Sequence, residues 1–240
     1  MSLKFIQSMD TYYKITGNPI AYWLSEGFVK TFEYDKIGDK SYARAGVVSG
    51  NDKTFVRKWF EVSFEDINFA ENKKGESYSK YHIFSKGGDF RRYYGNYEHI
   101  IALNDLYNDD LVNASVRRGD RDSYFKKCIS WSIIGSSSSK SFREIKNSVC
   151  GTASPSIYVY DEENFYYILA LLNSKYSEII INSVNPTLNL QSSDVGAVPA
   201  IISEEKIEKV ETLTLDNINC CKKDWDSFET SWDFKKHPLI

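Results

Sequence analysis

"KYHIFSKGGDFRRYYGNYEHIIAL" (80–103) is the stretch from which the fold can be read. Its ends, KYHIF (80–84) and EHIIAL (98–103), are rich in β-branched and aromatic residues and predict two strands. Between them, residues 86–96 hold one Lys, two Arg, one Asp, three aromatics and four Gly or Asn positions. A buried strand does not hold Lys86, Asp89, Arg91 and Arg92 together, because unpaired charges are costly to desolvate. The segment is therefore a surface loop held by its two strands. Two readings remain open: a solvated turn whose Phe90, Tyr93 and Tyr94 cover the edge of the core, or a loop built to approach phosphates and base edges.

Further strands are predicted at 127–134 and 156–161, and an alternating run at 43–63 follows the turn "SGND". Asn18 and Pro19 suit a helix start, so 17–32 reads as an amphipathic helix with Ile20, Trp23, Leu24, Phe28 and Phe32 at helical spacing. Residues 104–116 read as a helix, and 163–184 has the apolar density of one or two buried helices. Residues 70–79 are a polar loop, and 135–151 is Ser-rich and basic. The charged amphipathic segment 203–234 reads as a helical arm leaving the domain. The fold class is α+β, a twisted mixed β-sheet with edge helices and a C-terminal helical arm.

With 42% hydrophobic and 26% charged residues over 240 positions, the chain can bury a substantial core. No apolar run reaches membrane-spanning length and no signal peptide opens the sequence, so a cytoplasmic, membrane-free protein is expected. Cys128, Cys150, Cys220 and Cys221 form no CxxC pair, and His82, His99 and His237 supply no cluster, so no metal site and reduced thiols are expected. The net charge of −3 hides a segregation. Residues 111–150 carry eight Lys or Arg against three Asp or Glu, whereas 201–240 carry six against nine. A segregated basic region can meet a polyanion when the whole chain would not.

No G-x-S-x-G, Walker-type or G-x-G-x-x-G motif is present, and no metal-binding carboxylate set for a nuclease can be assembled. The Asn-Pro pairs at 18–19 and 185–186 lack the second proline and the aromatic of the amino-methyltransferase tetrad. This chain reads as non-catalytic.

Taken in order, "GNPIAYWLS", "GVVSGNDKTFVRKWFEV", "FSKGGDFRRYYGN", "ISWSII", "ASPSIYVYDEENFYYILALLNSK", "NPTLNLQSSDVGAVPAI" and "DWDSFETSWDFKKHPLI" resemble the region downstream of the catalytic domain in PglX-type adenine-specific DNA methyltransferases of BREX phage-defence systems and related restriction-modification enzymes. The resemblance covers nearly the whole chain. It implies a target-recognition domain, similar in plan to a recognition half of type I restriction specificity subunits. Residues 1–3 then read as an added start, 4–202 as the α+β recognition domain and 203–240 as a helical spacer or arm. The resemblance also implies double-stranded DNA as partner, beside the methyltransferase domain of the parent chain and other defence-system proteins. No cofactor is expected in this segment, with S-adenosylmethionine expected for the parent. The alternative is a protein-interaction module docking to other defence-system subunits.

For such a domain, phosphate contacts set register and base contacts set sequence. Lys86 and Arg92 suit phosphates. Gly87 and Gly88 suit close backbone approach to DNA, and Arg91 offers the fork that matches guanine. Tyr94 suits a sugar or base. Arg117, Arg118 and Arg121 form a second cluster, which reads equally as a solvated turn paired by Asp120 and Asp122. Lys140 and Arg143 suit a phosphate-contacting loop, or a plain linker.

Overall fold

In a computed structural model of the chain, residues 12–69, 80–135 and 140–240 are described. The polar loop at 70–79, the serines at 136–139 and the start at 1–3 lie outside the described residues. The class is α+β, with two sheets where the sequence predicted one. The first contains β1 (Ser41–Ala43), β6 (Cys128–Ser130), β7 (Arg143–Ile145) and β9 (Ser156–Val159), in the order β1-β9-β6-β7 and antiparallel throughout. The second is mixed. It runs β2 (Val56–Lys58), β5 (His99–Ile101), β4 (Tyr81–Ser85), β3 (Ile67–Asn68), and β8 (Val149–Cys150) also pairs with β4 in parallel. The two strands of the opening stretch pair antiparallel, with Ile83 opposite Ile100. Asn147, at φ 55°, turns the chain from β7 in one sheet to β8 in the other.

Helices α1 (Glu26–Thr31), α2 (Ile37–Lys40) and α3 (Asp52–Phe55) precede the central strands. After β9 come α4 (Phe165–Leu172), α5 (Lys175–Val184), α6 (Ser192–Gly196) and α7 (Ile207–Trp225). Ile168 and Leu169 of α4 and Ile180 and Ile181 of α5 pack with Ile129 and Ile157 of the first sheet. A separate cluster joins the sheets through Ile83, Tyr97, Cys128, Ile145, Tyr158 and Trp225.

Three predicted elements are shorter than their periodicity suggests, because local side chains compete for backbone groups. The helix expected at 17–32 is confined to α1. Gly17 and Asn18 adopt φ of 84° and 50°, and the capping side chain is that of Ser25, which accepts from the Phe28 amide. Ile20 and Trp23 consequently stay exposed. Residues 104–116 form one 3-10 turn, Asp105–Tyr107, since the Asn108 and Asn113 side chains accept from the amides of Asp110 and Ser115 at 3.1 and 2.8 Å. The alternating run at 43–63 splits into α3, β2 and a 3-10 turn, where the Glu61 carboxylate accepts from the Lys58 amide at 2.7 Å.

The C-terminal helix does not leave the body of the protein. Helix α7 lies along α4, with the Thr214 hydroxyl donating to the Tyr166 carbonyl at 3.4 Å, and delivers Trp225 into the cluster between the sheets. Burying Ile218 and Trp225 contributes about 1.5–3 kcal/mol per side chain, enough to make this amphipathic helix a strap.

Candidate nucleic-acid interface

The loop 86–98 leaves β4, touches the free edge of β7 and returns to β5. At its midpoint the Tyr93 amide donates to the Phe142 carbonyl at 2.8 Å, and the Glu144 amide donates to the Tyr93 carbonyl at 3.0 Å. Tyr93 has φ 65°, and the Tyr94 amide donates to the Arg92 carbonyl at 2.7 Å, a strained three-residue turn held by the sheet edge on both sides. The glycines serve this path. Gly87 has φ 82°, and a Cβ there would stand 2.8 Å from the Ala153 carbonyl oxygen. Gly88 has φ 122°, and its Cβ would meet the Asn96 side chain at 2.9 Å. Gly87 thus fits closely against a backbone carbonyl and Gly88 against the Asn96 side chain.

Its cations are tied locally too. Lys86 pairs with Asp52 at 2.5 Å, and Arg92 approaches Glu178 at 3.7 Å while its guanidinium carbon stands 5.4 Å from the Phe90 ring. Arg91 reaches Asp224 on α7 at 2.7 Å and lies 5.4 Å from the Trp225 ring. Such half-exposed pairs are worth about 0–1 kcal/mol, so they orient these side chains without locking them. Tyr94 sits between Tyr97, at 5.1 Å, and the Lys222 ammonium, at 5.2 Å, and burial raises its phenol pKa. Arg91 and Tyr94 therefore pack on the strap in this arrangement.

The second cluster, 115–127, has a different character. Arg117 is exposed and has no carboxylate partner among the described residues, while its backbone pairs with Val48 at 2.8 and 2.9 Å. Arg121 is exposed, with its guanidinium 4.6 Å from the Tyr107 ring; Arg118 covers the same ring at 5.0 Å. Arg118 is spoken for, donating to the Leu106 carbonyl and to Asp109 at 2.8 and 2.7 Å. Asp120 pairs with Arg44 at 2.7 Å, leaving the neighbouring arginines outward. Gly119, at φ 64°, lets this loop pass close to Ala45 and Gly46.

Arg143 corrects the sequence reading outright. It lies in β7 with no exposed surface, and among the described residues none of its three guanidinium nitrogens has a hydrogen-bond partner. Burial pulls its pKa down to about 10, opposed by Tyr97, Cys150 and Cys128, so it is an interior cation and cannot meet a phosphate in this fold. The thiols of Cys128 and Cys150 stand 3.7 Å apart beside it. Lys140 is also largely buried, with 8% exposure.

What the fold does bring together is one end of both sheets. The Gly87 and Gly88 turn touches Ala153 and accepts from the Ser132 hydroxyl at 2.8 Å; Thr152 bonds Val47; Val48 pairs with Arg117. Loops 44–52, 86–90, 113–121, 131–135 and 151–155 thus form one continuous surface. Arg117 lines a cleft of about 610 Å³ there with Gly46, Val48, Gly119 and Thr152. Sequence reasoning missed Phe90, Ile134 and Leu188 as a group, since only the fold makes these exposed apolar side chains neighbours. Among the described residues, no group of three or more His, Cys, Asp or Glu could hold a metal ion, and no helix is long and apolar enough to cross a membrane.

No family model matches the chain. It is 30% identical over 237 residues to the adenine-specific methyltransferase BrxX of Escherichia coli O9:H4 (strain HS), covering 96% of this chain and 19% of that protein. It is 28% identical over 237 residues to the adenine-specific methyltransferase PglX of Lacticaseibacillus casei (strain Zhang), covering 95% of this chain and 20% of that protein. The chain therefore spans about a fifth of the length of the curated relatives it matches, and it is homologous to one continuous segment of adenine-specific methyltransferases.

Proposed function

We propose that this chain is the segment of an adenine-specific DNA methyltransferase of a phage-defence system that recognises double-stranded DNA, and that it carries no methyl-transfer chemistry itself. The observation that carries this reading is the similarity along nearly the whole chain to a fifth of two adenine-specific methyltransferases, joined to the absence from this sequence of the tetrad and glycine motifs that methyl transfer requires. S-adenosylmethionine then belongs to the parent's catalytic domain, which is also this segment's partner in cis, in the cytoplasm.

Duplex contact is assigned to the loop end, from which Arg117 and Arg121 extend outward. Arg118 positions Tyr107, and through it Arg121. Backbone contacts of this kind bring steep salt dependence. The test is duplex binding by the 240-residue chain across a salt series: affinity falls steeply with salt, and Arg117→Ala both weakens binding and reduces the log–log slope by about 1. Binding that ignores salt, or an unchanged Arg117→Ala slope, overturns the assignment. A second reading, docking onto other defence-system subunits, is favoured by Ile20, Trp23 and Tyr34, which are exposed at 68%, 55% and 59% on the α1 side of the molecule.

A further inference from the structure

Beside the loop end lies a second concavity, of about 330 Å³. Its floor is Trp131 and Leu190, each 1% exposed, and the indole N–H is fixed by donation to the Leu190 carbonyl at 2.9 Å. Three large apolar side chains stand around its mouth, Phe90, Ile134 and Leu188, at 52%, 66% and 58% exposure. Scattered apolar residues need no explanation, but three around one concave space mark a contact site.

One wall carries a cation. Lys140 is 8% exposed, and among the described residues its ammonium donates one long hydrogen bond, 3.4 Å to the Thr187 carbonyl. An ammonium has three donors, and burying it underused is costly. Burial lowers its pKa, against the opposing pull of Asp194. Asp89, which also lines the space, disfavours an occupant with negative charge on all sides. The space thus matches a flat apolar body carrying one anionic group at one end. Its volume lies near the lower bound of small-molecule sites, the scale of a single nucleotide. It also opens beside Gly88, on the same continuous surface as Arg117.

We propose that this cleft holds one unstacked nucleotide of a bound nucleic acid, its base against Phe90 and Leu188 and its phosphate on Lys140. This rests on the DNA reading above and adds to it a site separate from the duplex contacts. Stacking on an exposed aromatic ring tolerates any base, so the cleft selects for an unpaired nucleotide rather than for sequence.

The test titrates the 240-residue chain with a fully paired duplex and with the same duplex carrying one unpaired extra nucleotide. The bulged duplex binds about tenfold tighter, and the preference disappears in Phe90→Ala and in Lys140→Met, both of which bind the paired duplex like the unsubstituted chain. Equal binding of the two duplexes by the unsubstituted chain overturns the cleft proposal and leaves the DNA reading standing, as does a preference that survives both substitutions. If neither duplex binds, the DNA reading fails and AMP decides the cleft. Binding of AMP at least tenfold tighter than adenosine, lost in Lys140→Met, supports it, and no such difference overturns it. Capture of a short peptide with an aromatic side chain and a terminal carboxylate, with AMP excluded, also overturns it in favour of a protein partner.

Discussion

Segments 86–96 and 115–127 have the same kind of composition, arginines among aromatics and turn residues, yet the fold uses them in opposite ways. The first must cross from β4 to the edge of β7 and return to β5, so its midpoint at Tyr93 is fixed on that edge and Gly87 lies against the Ala153 carbonyl. Its Gly88 and Gly95 are held against side chains, and its cations meet Asp52, Glu178 and Asp224. The second lies over a patch of core formed by Val47, Phe55, Ile101 and Leu106, touching it through Val116, Tyr124 and Phe125. Its aromatic residues anchor it, and Arg117 and Arg121 remain outward. Charge in a loop is available to a partner only when topology does not demand it for the protein's own crossings.

The largest effect that bears on this contrast is at the strap. Trp225→Ala removes a 3% exposed side chain from the cluster between the sheets and loosens the neighbour of Arg91, so a loss of about 3–5 kcal/mol is expected in chemical denaturation. A loss below about 1 kcal/mol contradicts the strap. Next is Gly87→Val, which places a branched side chain at φ 82° and within 2.8 Å of the Ala153 carbonyl; about 2–3 kcal/mol is expected. If instead Gly87→Val leaves stability intact and removes DNA binding alone, the glycine serves DNA approach after all.

A pH effect follows from the paired strands β4 and β5. Burial lowers the pKa of His82 below 6.5, and burial with the nearby Lys86 lowers that of His99. Below about pH 6.5 the unfolded chain binds protons that the folded one does not, so stability is full above that pH and falls as pH drops through it. Denaturation midpoints at pH 7.5 and 5.5 measure the difference, which shrinks in His99→Gln. A midpoint that rises on acidification contradicts the burial account. The smallest effect on stability is expected from Arg117→Ala with Arg121→Ala, within about 0.5 kcal/mol, because neither guanidinium has an acidic partner among the described residues.

Much of the framework was legible in the sequence. Strands β4, β5, β6 and β9 coincide with runs of apolar and β-branched residues, and α4 and α5 with the apolar density of 163–184, divided where Ser174 caps the second helix. What was hidden depended on distant partners or on local competition. Periodicity at 17–32 cannot reveal that Asn18 turns left-handed, and the charge of 203–234 conceals the few residues, Thr214, Ile218 and Trp225, that bind α7 to the body. The serine-rich surroundings of Arg143 suggest a loop, although Phe142 and Ile145 on either side of "RE" are the trace of a buried strand. The convergence of Gly88, Ser132, Thr152 and Arg117 on one end arises from topology alone.

The most direct measurement compares two double variants in duplex binding at two salt concentrations. Arg117→Ala with Arg121→Ala should bind at least about tenfold more weakly than the unsubstituted chain at low salt, with the salt slope reduced by about 2, whereas Arg91→Ala with Arg92→Ala should stay within about twofold. The reverse order, or two variants that both bind as tightly as the unsubstituted chain, would contradict the assignment of the duplex to the loop end of the sheets.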